Sequence, residues 1–383
     1  MAAINRTRPR VSAPTDIIRP FARDDAEAVA SLFQVTMRGS DTPPPAGLAG
    51  YFRSHFLDGP FADPQIPSLV YCSPRGDIDG FIGVAVQPMR FGDRTLRAAI
   101  LGMLMVRDHE QRPMAGARLL KRVFAGSQDV TLSETAGDAS LAMWRQLKGG
   151  VLDRHSLYFL RVLRPAEFGL GMLAQRLRPA RLLTPLARLL DGIAGRKEGP
   201  VRWTGLPADF RAQGGIEARP VDVAAFTAMT ADILSRNAIV PLWPDDCLPR
   251  VISEAMDKPH LGHAHLCQVV TKPGRAIGGF LLHHGGRGPA SVTDILHEPG
   301  QAGPVLDALF LYAQGLGAAS VQGRTTPHLL DALLSRRTLF AHESASVIDA
   351  RDPEIVAAFS DGRAHFNGLV GERWTRLIGG AFD

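Results

Sequence analysis

The sequence has few cysteines, few aromatic residues and no long apolar run. Its three cysteines, Cys72, Cys247 and Cys267, are odd in number and far apart. This spacing argues against a disulfide framework and is compatible with a reducing compartment. Without a run of about 18 apolar residues no transmembrane helix is expected, and the basic first residues lack the apolar core of a secretory signal. We therefore expect a globular protein of the cytoplasm.

The net charge of the whole chain is small. Lys and Arg number 43 against 38 Asp and Glu, a formal net charge of +5. The excess is local, because nine basic residues and two acids lie between Arg154 and Lys197. The rest of the chain is therefore close to neutral, and no nucleic-acid partner is implied. At 383 residues the chain is long enough for two ordinary domains.

The stretch Leu101–Phe124 predicts a buried strand, a short polar loop and a helix. Leu101–Val106 is apolar except for Gly102, and Pro113 suits the first turn of a helix. The following apolar residues fall on one helical stripe: Leu119, Leu120, Val123 and Phe124. Free backbone N–H groups and the helix dipole make such a helix start suitable for a phosphate.

The loop residues Gln111-Arg112-Pro113-Met114-Ala115-Gly116 resemble the pyrophosphate loop of the GNAT acetyltransferase superfamily, Arg/Gln-x-x-Gly-x-Gly/Ala. The valine that the family has five residues earlier is present as Val106. Met114 replaces the first glycine, and its side chain is expected to crowd a phosphate that approaches the backbone. An ordinary strand–loop–helix crossover without a ligand remains the alternative interpretation.

The order of predicted elements also resembles a GNAT domain. A strand at Ile17–Phe21 is followed by two helices, an antiparallel meander, the Leu101–Phe124 unit, a strand at Asp129–Glu134, a helix and a strand at Leu157–Leu163. The second half restarts at Ile216–Pro220 and repeats this order as far as Ser346–Ile348. An internal duplication explains the repetition. The expected fold class is therefore α/β, with mixed α+β sheets in tandem GNAT-like domains.

The predicted domain limits follow from these patterns. Residues 1–15 are expected to form a disordered basic tail, 16–165 an N-terminal GNAT-like domain, 166–200 a basic amphipathic helical linker, and 201–383 a degenerate C-terminal copy. In that copy the sequence HEPGQAGPVLDAL has glycines but lacks the phosphate-loop pattern. We do not expect the second copy to bind the cofactor in the standard way.

The resemblance implies transfer of an acyl group from acetyl-CoA, or another acyl-CoA, to an amine. The backbone of the strand residues Leu104–Val106 would bind the pantetheine arm, and the loop between this strand and the helix would bind the diphosphate. The residues predicted to bind this co-substrate are Leu104, Met105, Val106, Gln111, Arg112, Met114, Ala115, Gly116, Ala117 and Trp144. No metal is expected.

The sequence indicates the residues for proton transfer less clearly than those for co-substrate binding. Trp144 stands at or near the place of a tyrosine acid in the family, but an indole cannot serve as a general acid. Glu134, at the end of its predicted strand, is the candidate base. The alternatives are that Glu134 is solvated or caps a helix, and that water relays the proton.

Two further groups of residues have side chains suited to chemistry. His263, His265 and Cys267 would share one face of a strand, but their spacing is not that of a recognised zinc motif. At the C-terminus, apolar residues such as Trp374 are expected to pack against the second domain or to shape an acceptor cleft. Glu372 and Arg373 are expected to lie outside.

Three functions agree with the sequence. The first is an N-acyltransferase that acts on a small-molecule or peptide amine. The second is a non-catalytic tandem GNAT-like binding or regulatory protein with a decayed CoA loop. The third is a peripheral membrane transferase that contacts lipid through residues 154–197, although a linker helix packed on a domain is commoner for such a segment. The sequence carries no signal for an oligomeric state.

Overall fold

The computed structural model describes residues 17–176, 215–244, 247–286 and 288–382. The predicted basic tail and most of the predicted linker lie outside these residues. Within the described part of the chain, none of the helices is long and apolar enough to cross a membrane. Residues up to 85 together with 102–127 form one compact unit, and residues 86–101 together with 128–382 form the other.

The described residues form fifteen strands. They are β1 Ile17–Pro20, β2 Leu69–Cys72, β3 Ile78–Phe91, β4 Arg94–Val106, β5 Val130–Ala136, β6 Gly150–Val151, β7 Leu157–Val162, β8 Glu217–Pro220, β9 Ile239–Pro241, β10 His263–Val270, β11 Ala276–His284, β12 Pro289–His297, β13 Ser320–Arg324, β14 Leu339–His342 and β15 Ala345–Ala350.

The same residues form eleven α-helices. They are α1 Ala26–Arg38, α2 Ala46–Phe56, α3 Ala115–Phe124, α4 Asp138–Gln146, α5 Asp153–Ser156, α6 Pro165–Arg176, α7 Val223–Leu234, α8 Cys247–Met256, α9 Ala302–Gly315, α10 Pro327–Leu334 and α11 Pro353–Ser360. The predicted helical stripe of α3 agrees with the structure, because Leu119, Leu120 and Val123 are buried.

The first unit is built around a cluster of phenylalanine rings. Phe52 of α2 contacts Phe33 of α1 and Phe81 of β3 in edge-to-face geometry, with ring centroids 5.8 and 5.5 Å apart. Gly83 of β3 makes room for the Phe56 ring, because a Cβ atom at this position would lie 2.5 Å from its Cζ. Aromatic pairs of this kind add stability beyond the area that they bury.

Two mixed sheets organise the strands. The first has the order β1-β2-β3-β4-β5-β15-β6, with β9 paired to β3. The second has the order β14-β7-β13-β12-β11-β10-β8. Each contains an antiparallel meander that ends in one parallel pair, β4 with β5 and β12 with β13. The predicted fold class and its tandem arrangement are therefore confirmed.

The two sheets exchange a strand, which the order of elements did not predict. β7, at residues 157–162, pairs with β13 in the second sheet. β15, at residues 345–350, pairs with β5 in the first sheet. Each parallel pair is thus followed by a strand from the other half of the sequence. The predicted limit between the domains at residue 165 stays a prediction, but pairing crosses it in both directions.

Replacement of Gly83 by alanine should destabilise the protein. The added methyl group would overlap the Phe56 ring and approach the Gly102 carbonyl oxygen to 2.9 Å, and overpacking of this kind costs about 1–3 kcal/mol. Gly50 in α2 is the matched control, because nothing lies within 4 Å of its Cβ position. Gly50→Ala should stabilise the helix by about 0.5–1 kcal/mol. Urea unfolding measures the change in the free energy of unfolding for both variants, which should be a loss for Gly83→Ala and a gain for Gly50→Ala. A Gly83→Ala protein as stable as wild type would contradict this packing.

Candidate functional site

Strand β4 contains one residue with an unusual backbone conformation before the predicted cofactor loop. Met103 has a φ of 57°, a left-handed conformation that is uncommon for a residue other than glycine. The parallel ladder of β4 with β5 runs from Ala98↔Val130 to Ile100↔Leu132. The predicted pantetheine-binding residues Leu104, Met105 and Val106 therefore belong to the part of β4 beyond this ladder.

The loop ends in a helix start with free donors. The N–H of Ala115 donates to the Arg112 carbonyl oxygen at 3.1 Å, and the first helical bond runs from the Arg118 N–H to the Met114 carbonyl oxygen at 2.9 Å. Within the described residues, the N–H groups of Gly116 and Ala117 have no acceptor. Two adjacent donors at the positive end of a helix dipole can bind an anion.

Met114 lies at the surface of the protein. The residue is 64% exposed, so its side chain extends into solvent. Gln111, at the first position of the loop pattern, is also exposed. The crowding of a phosphate that is expected from the methionine stays a prediction.

An ion-pair cluster holds the loop. The carboxylate of Asp79, in β3, lies 2.9 Å from Nη2 of Arg112 and 3.6 Å from Nε of Arg107. The Arg112 guanidinium also donates to the Arg107 carbonyl oxygen at 3.3 Å. The sequence predicted Arg112 as a cofactor-binding residue, but it did not single out Asp79 or Arg107. All of these residues belong to the first unit.

Glu134 and Trp144 belong to the second unit. Trp144 is buried in α4, where its ring packs on Gly149 so closely that a Cβ atom there would lie 2.6 Å from the ring. This placement agrees with a packing residue. The predicted contact of Trp144 with the co-substrate stays a prediction.

Glu134 is completely enclosed. Its carboxylate accepts backbone N–H groups of Gly368, Glu372 and Arg373 at 3.1–3.2 Å. Burial raises the pKa of Glu134, and the nearby charges of Arg373 and Arg324 oppose that shift. A carboxylate with these bonds and 0% exposure anchors a neighbouring segment. The structure therefore favours an anchoring role for Glu134 over the predicted role as a base.

Glu372 was expected to lie outside, and that expectation is wrong. Its Oε1 accepts four hydrogen bonds at 2.7–3.1 Å, from the N–H groups of Glu134 and Thr135 and from the hydroxyl groups of Ser133 and Thr135. Burial raises the pKa of Glu372 to about 7, with a further contribution from the charge of Glu134. A charged residue in an otherwise apolar stretch could not be recognised as buried, because its partners are more than 230 positions away.

The second copy differs at the corresponding helix start. Glu298, directly after β12, accepts hydrogen bonds from Arg236 at 2.8 Å and from Arg275. At the start of α9 the guanidinium of Arg336 lies against Gly303, 2.7 Å from its Cβ position, and pairs with Asp307 at 2.9 Å. Charged side chains thus lie close to the start of α9. That the second copy does not bind the cofactor in the standard way stays a prediction.

The register of β10 and β11 places His263, His265 and Cys267 at alternate positions of β10, opposite His284, Leu282 and Phe280. Among the residues that the structure describes, no group of three or more His, Cys, Asp and Glu side chains is arranged to hold a metal ion.

Replacement of Glu372 by glutamine should change how stability depends on pH. The folded pKa of about 7 exceeds the usual value of 4.5, so the folded state holds a proton that the unfolded state releases between these values. The contribution of Glu372 to wild-type stability should therefore fall as pH rises from 4.5 to 7, by up to about 3 kcal/mol. The amide of the Glu372→Gln variant does not titrate. The difference in stability between variant and wild type should grow in favour of the variant over this range.

Urea unfolding at several pH values measures that difference. Glu110→Gln, at an exposed carboxyl group, is the matched control and should differ from wild type by a constant amount. A difference that is equally flat for Glu372→Gln would show that Glu372 is ionised in the folded protein at all these pH values.

Comparison with known proteins extends the description of the fold. No protein-family model and no curated protein matches the sequence. A solved structure from Enterococcus faecalis V583, described as a conserved protein of unknown function and probable N-acyltransferase, matches with a TM-score of 0.55 and 9% identity, over 88% of this chain and 73% of its own. A GCN5-related N-acetyltransferase from Anabaena variabilis matches with a TM-score of 0.54 and 7% identity, over 88% of this chain and 74% of its own.

Identities this low show the fold alone. Both matches extend over most of this chain, and the two mixed sheets described above account for that length. The chain therefore has the fold of the GCN5-related N-acetyltransferases, present as two GNAT-like copies in tandem.

Proposed function

We propose that this chain is an acyltransferase that transfers an acyl group from an acyl-CoA to an amine, and that the first copy binds the co-substrate. The observation that carries the proposal is the helix start of α3. Its Gly116 and Ala117 N–H groups are free of acceptors within the described residues. Arg107 and Arg112 add positive charge to the loop that leads into this helix, so the site suits a diphosphate by both its free donors and its charge.

The last residues of β4 support the rest of the proposal. Leu104–Val106 follow the left-handed Met103 and lie beyond the ladder with β5. A strand edge of this kind offers N–H and C=O groups to an extended amide chain such as the pantetheine arm. One N–H can also donate to the thioester oxygen, where negative charge develops during attack.

The reaction itself needs little from the protein. The neutral amine attacks the thioester carbon, a C–N bond forms, the C–S bond breaks, and the thiolate receives a proton as the amine loses one. Glu134 is enclosed, so we propose that water carries the proton from the amine. The acceptor class is a small-molecule or peptide amine.

CoA and acetyl-CoA should raise the melting temperature by mass action. At a ligand concentration of about 100 Kd the stabilisation is about 2.7 kcal/mol. Gly116→Leu should abolish the shift, because a branched side chain would enter the buried start of α3. Gly50→Leu, at a helical glycine with open space around its Cβ position, should retain it. Met114→Gly restores the family pattern and should show a shift at least as large as wild type. A wild-type protein whose melting temperature does not change with CoA thioesters of any chain length would rule out the proposal.

A non-catalytic CoA-binding protein is the second candidate, favoured by the enclosure of Glu134 and by Trp144 at the tyrosine position. The two candidates differ in thiol release. An acyltransferase should release free CoA from acetyl-CoA in the presence of one or more members of a panel of small amines and peptides, faster at pH values where the amine is neutral. Binding of acetyl-CoA without amine-dependent thiol release across such a panel would support the second candidate.

A further inference from the structure

The carboxylate of Asp79 has two arginine partners on the loop that follows β4. Asp79 is 5% exposed and lies at the start of β3, which is the neighbour of β4 in the sheet. Its Oδ2 contacts Arg112 at 2.9 Å and its Oδ1 contacts Arg107 at 3.6 Å. Its carbonyl oxygen accepts the N–H of Arg107 at 2.8 Å. One residue of the sheet thus fixes both ends of the segment 107–112.

The cluster keeps a net positive charge after this pairing. Two guanidinium groups meet one carboxylate, and their side chains remain 38% and 33% exposed for Arg107 and Arg112. Each guanidinium has five N–H donors. Arg112 uses Nη1 for the Arg107 carbonyl oxygen and Nη2 for Asp79. Donors therefore remain for an anion that approaches from solvent.

The arginines also lie in the part of the loop where the sequence departs from the family. Met114 replaces a glycine that would let a phosphate approach the backbone. Guanidinium groups reach further than backbone N–H groups, and they form strong bidentate bonds with phosphate oxygens. Arg112 lies two residues before Met114, so a second set of donors is available on the same loop.

We propose that Asp79 is a positioning residue, and that the two arginines it holds, Arg107 and Arg112, contact the diphosphate of CoA in addition to the backbone N–H groups at the start of α3. This inference rests on the proposed function and deepens it. It assigns the clamp formed by Asp79, Arg107 and Arg112 to the phosphate part of the co-substrate and leaves the pantetheine arm to β4.

Calorimetric titration with CoA and with pantetheine, which lacks the diphosphate and the nucleotide, tests the assignment. Arg112→Gln should weaken CoA binding roughly 10- to 100-fold, the range for hydrogen bonds to charged groups, and should leave pantetheine binding unchanged. Arg122→Gln removes the same charge from an exposed position later in α3 and should change CoA affinity by less than about threefold. Equal losses for Arg112→Gln and Arg122→Gln, or equal losses for CoA and pantetheine, would overturn the inference.

The Asp79→Asn variant tests whether Asp79 positions the two arginines or competes with the phosphate for them. If Asp79 positions the arginines, its loss should weaken CoA binding. If Asp79 only competes with the phosphate for them, its loss should strengthen CoA binding, and that result would overturn the positioning role. Asp77→Asn, at an exposed carboxylate two residues earlier, is the matched control. Melting temperatures verify that each variant is folded, and Arg112→Gln decides the question should Asp79→Asn fail to fold.

The wild-type titration separates this inference from the proposed function. A wild-type chain that binds no CoA overturns both. A wild-type chain that binds CoA, with an Arg112→Gln variant that binds it equally well, overturns the clamp and leaves the acyltransferase proposal in place.

Discussion

The buried carboxylates of Glu134 and Glu372 connect the ends of the second unit. Each accepts backbone N–H groups of the other's segment, since Glu134 binds the N–H of Glu372 and Glu372 binds the N–H of Glu134. Buried charge is costly unless it is hydrogen-bonded, so these bonds hold the C-terminal segment against β5. Gly371 permits the contact, because a Cβ atom there would lie 2.1 Å from Oε2 of Glu134. Arg324 of β13, 3.9 Å from Glu134, brings the second sheet into the same network.

The hydrogen bonds of Glu134 bear on its predicted role as a base. A glutamate at the end of β5 is a reasonable base by sequence, but here its hydrogen-bonding capacity is used to anchor the segment 368–373. Lys258 anchors the same segment further along, through hydrogen bonds to the carbonyl oxygens of Thr375 and Ile378. These buried polar groups of the second unit thus support structure, and the free N–H donors of Gly116 and Ala117 lie at the start of α3.

The two copies differ at the start of the helix that follows their parallel strand. In the first, the helix start retains free N–H groups within the described residues, and its arginines are held at one side by Asp79. In the second, Arg336 lies against Gly303 and pairs with Asp307, and Glu298 accepts hydrogen bonds from Arg236 and Arg275. The difference is one of local charge and side-chain packing, since the strand–loop–helix geometry is common to both.

The sequence by itself determined the kinds of element and their order. Hydrophobic periodicity is a local property, so the meander, the strand–loop–helix unit of residues 101–124 and the repetition in the second half could be predicted from neighbouring residues. Only the tertiary structure decided the strand exchange of β7 and β15, the burial of Glu372 and the clamp at Asp79. Each of these features depends on partners that are tens to hundreds of residues apart in the sequence. A periodic pattern indicates whether a residue is buried or exposed, but it does not show which residues it contacts.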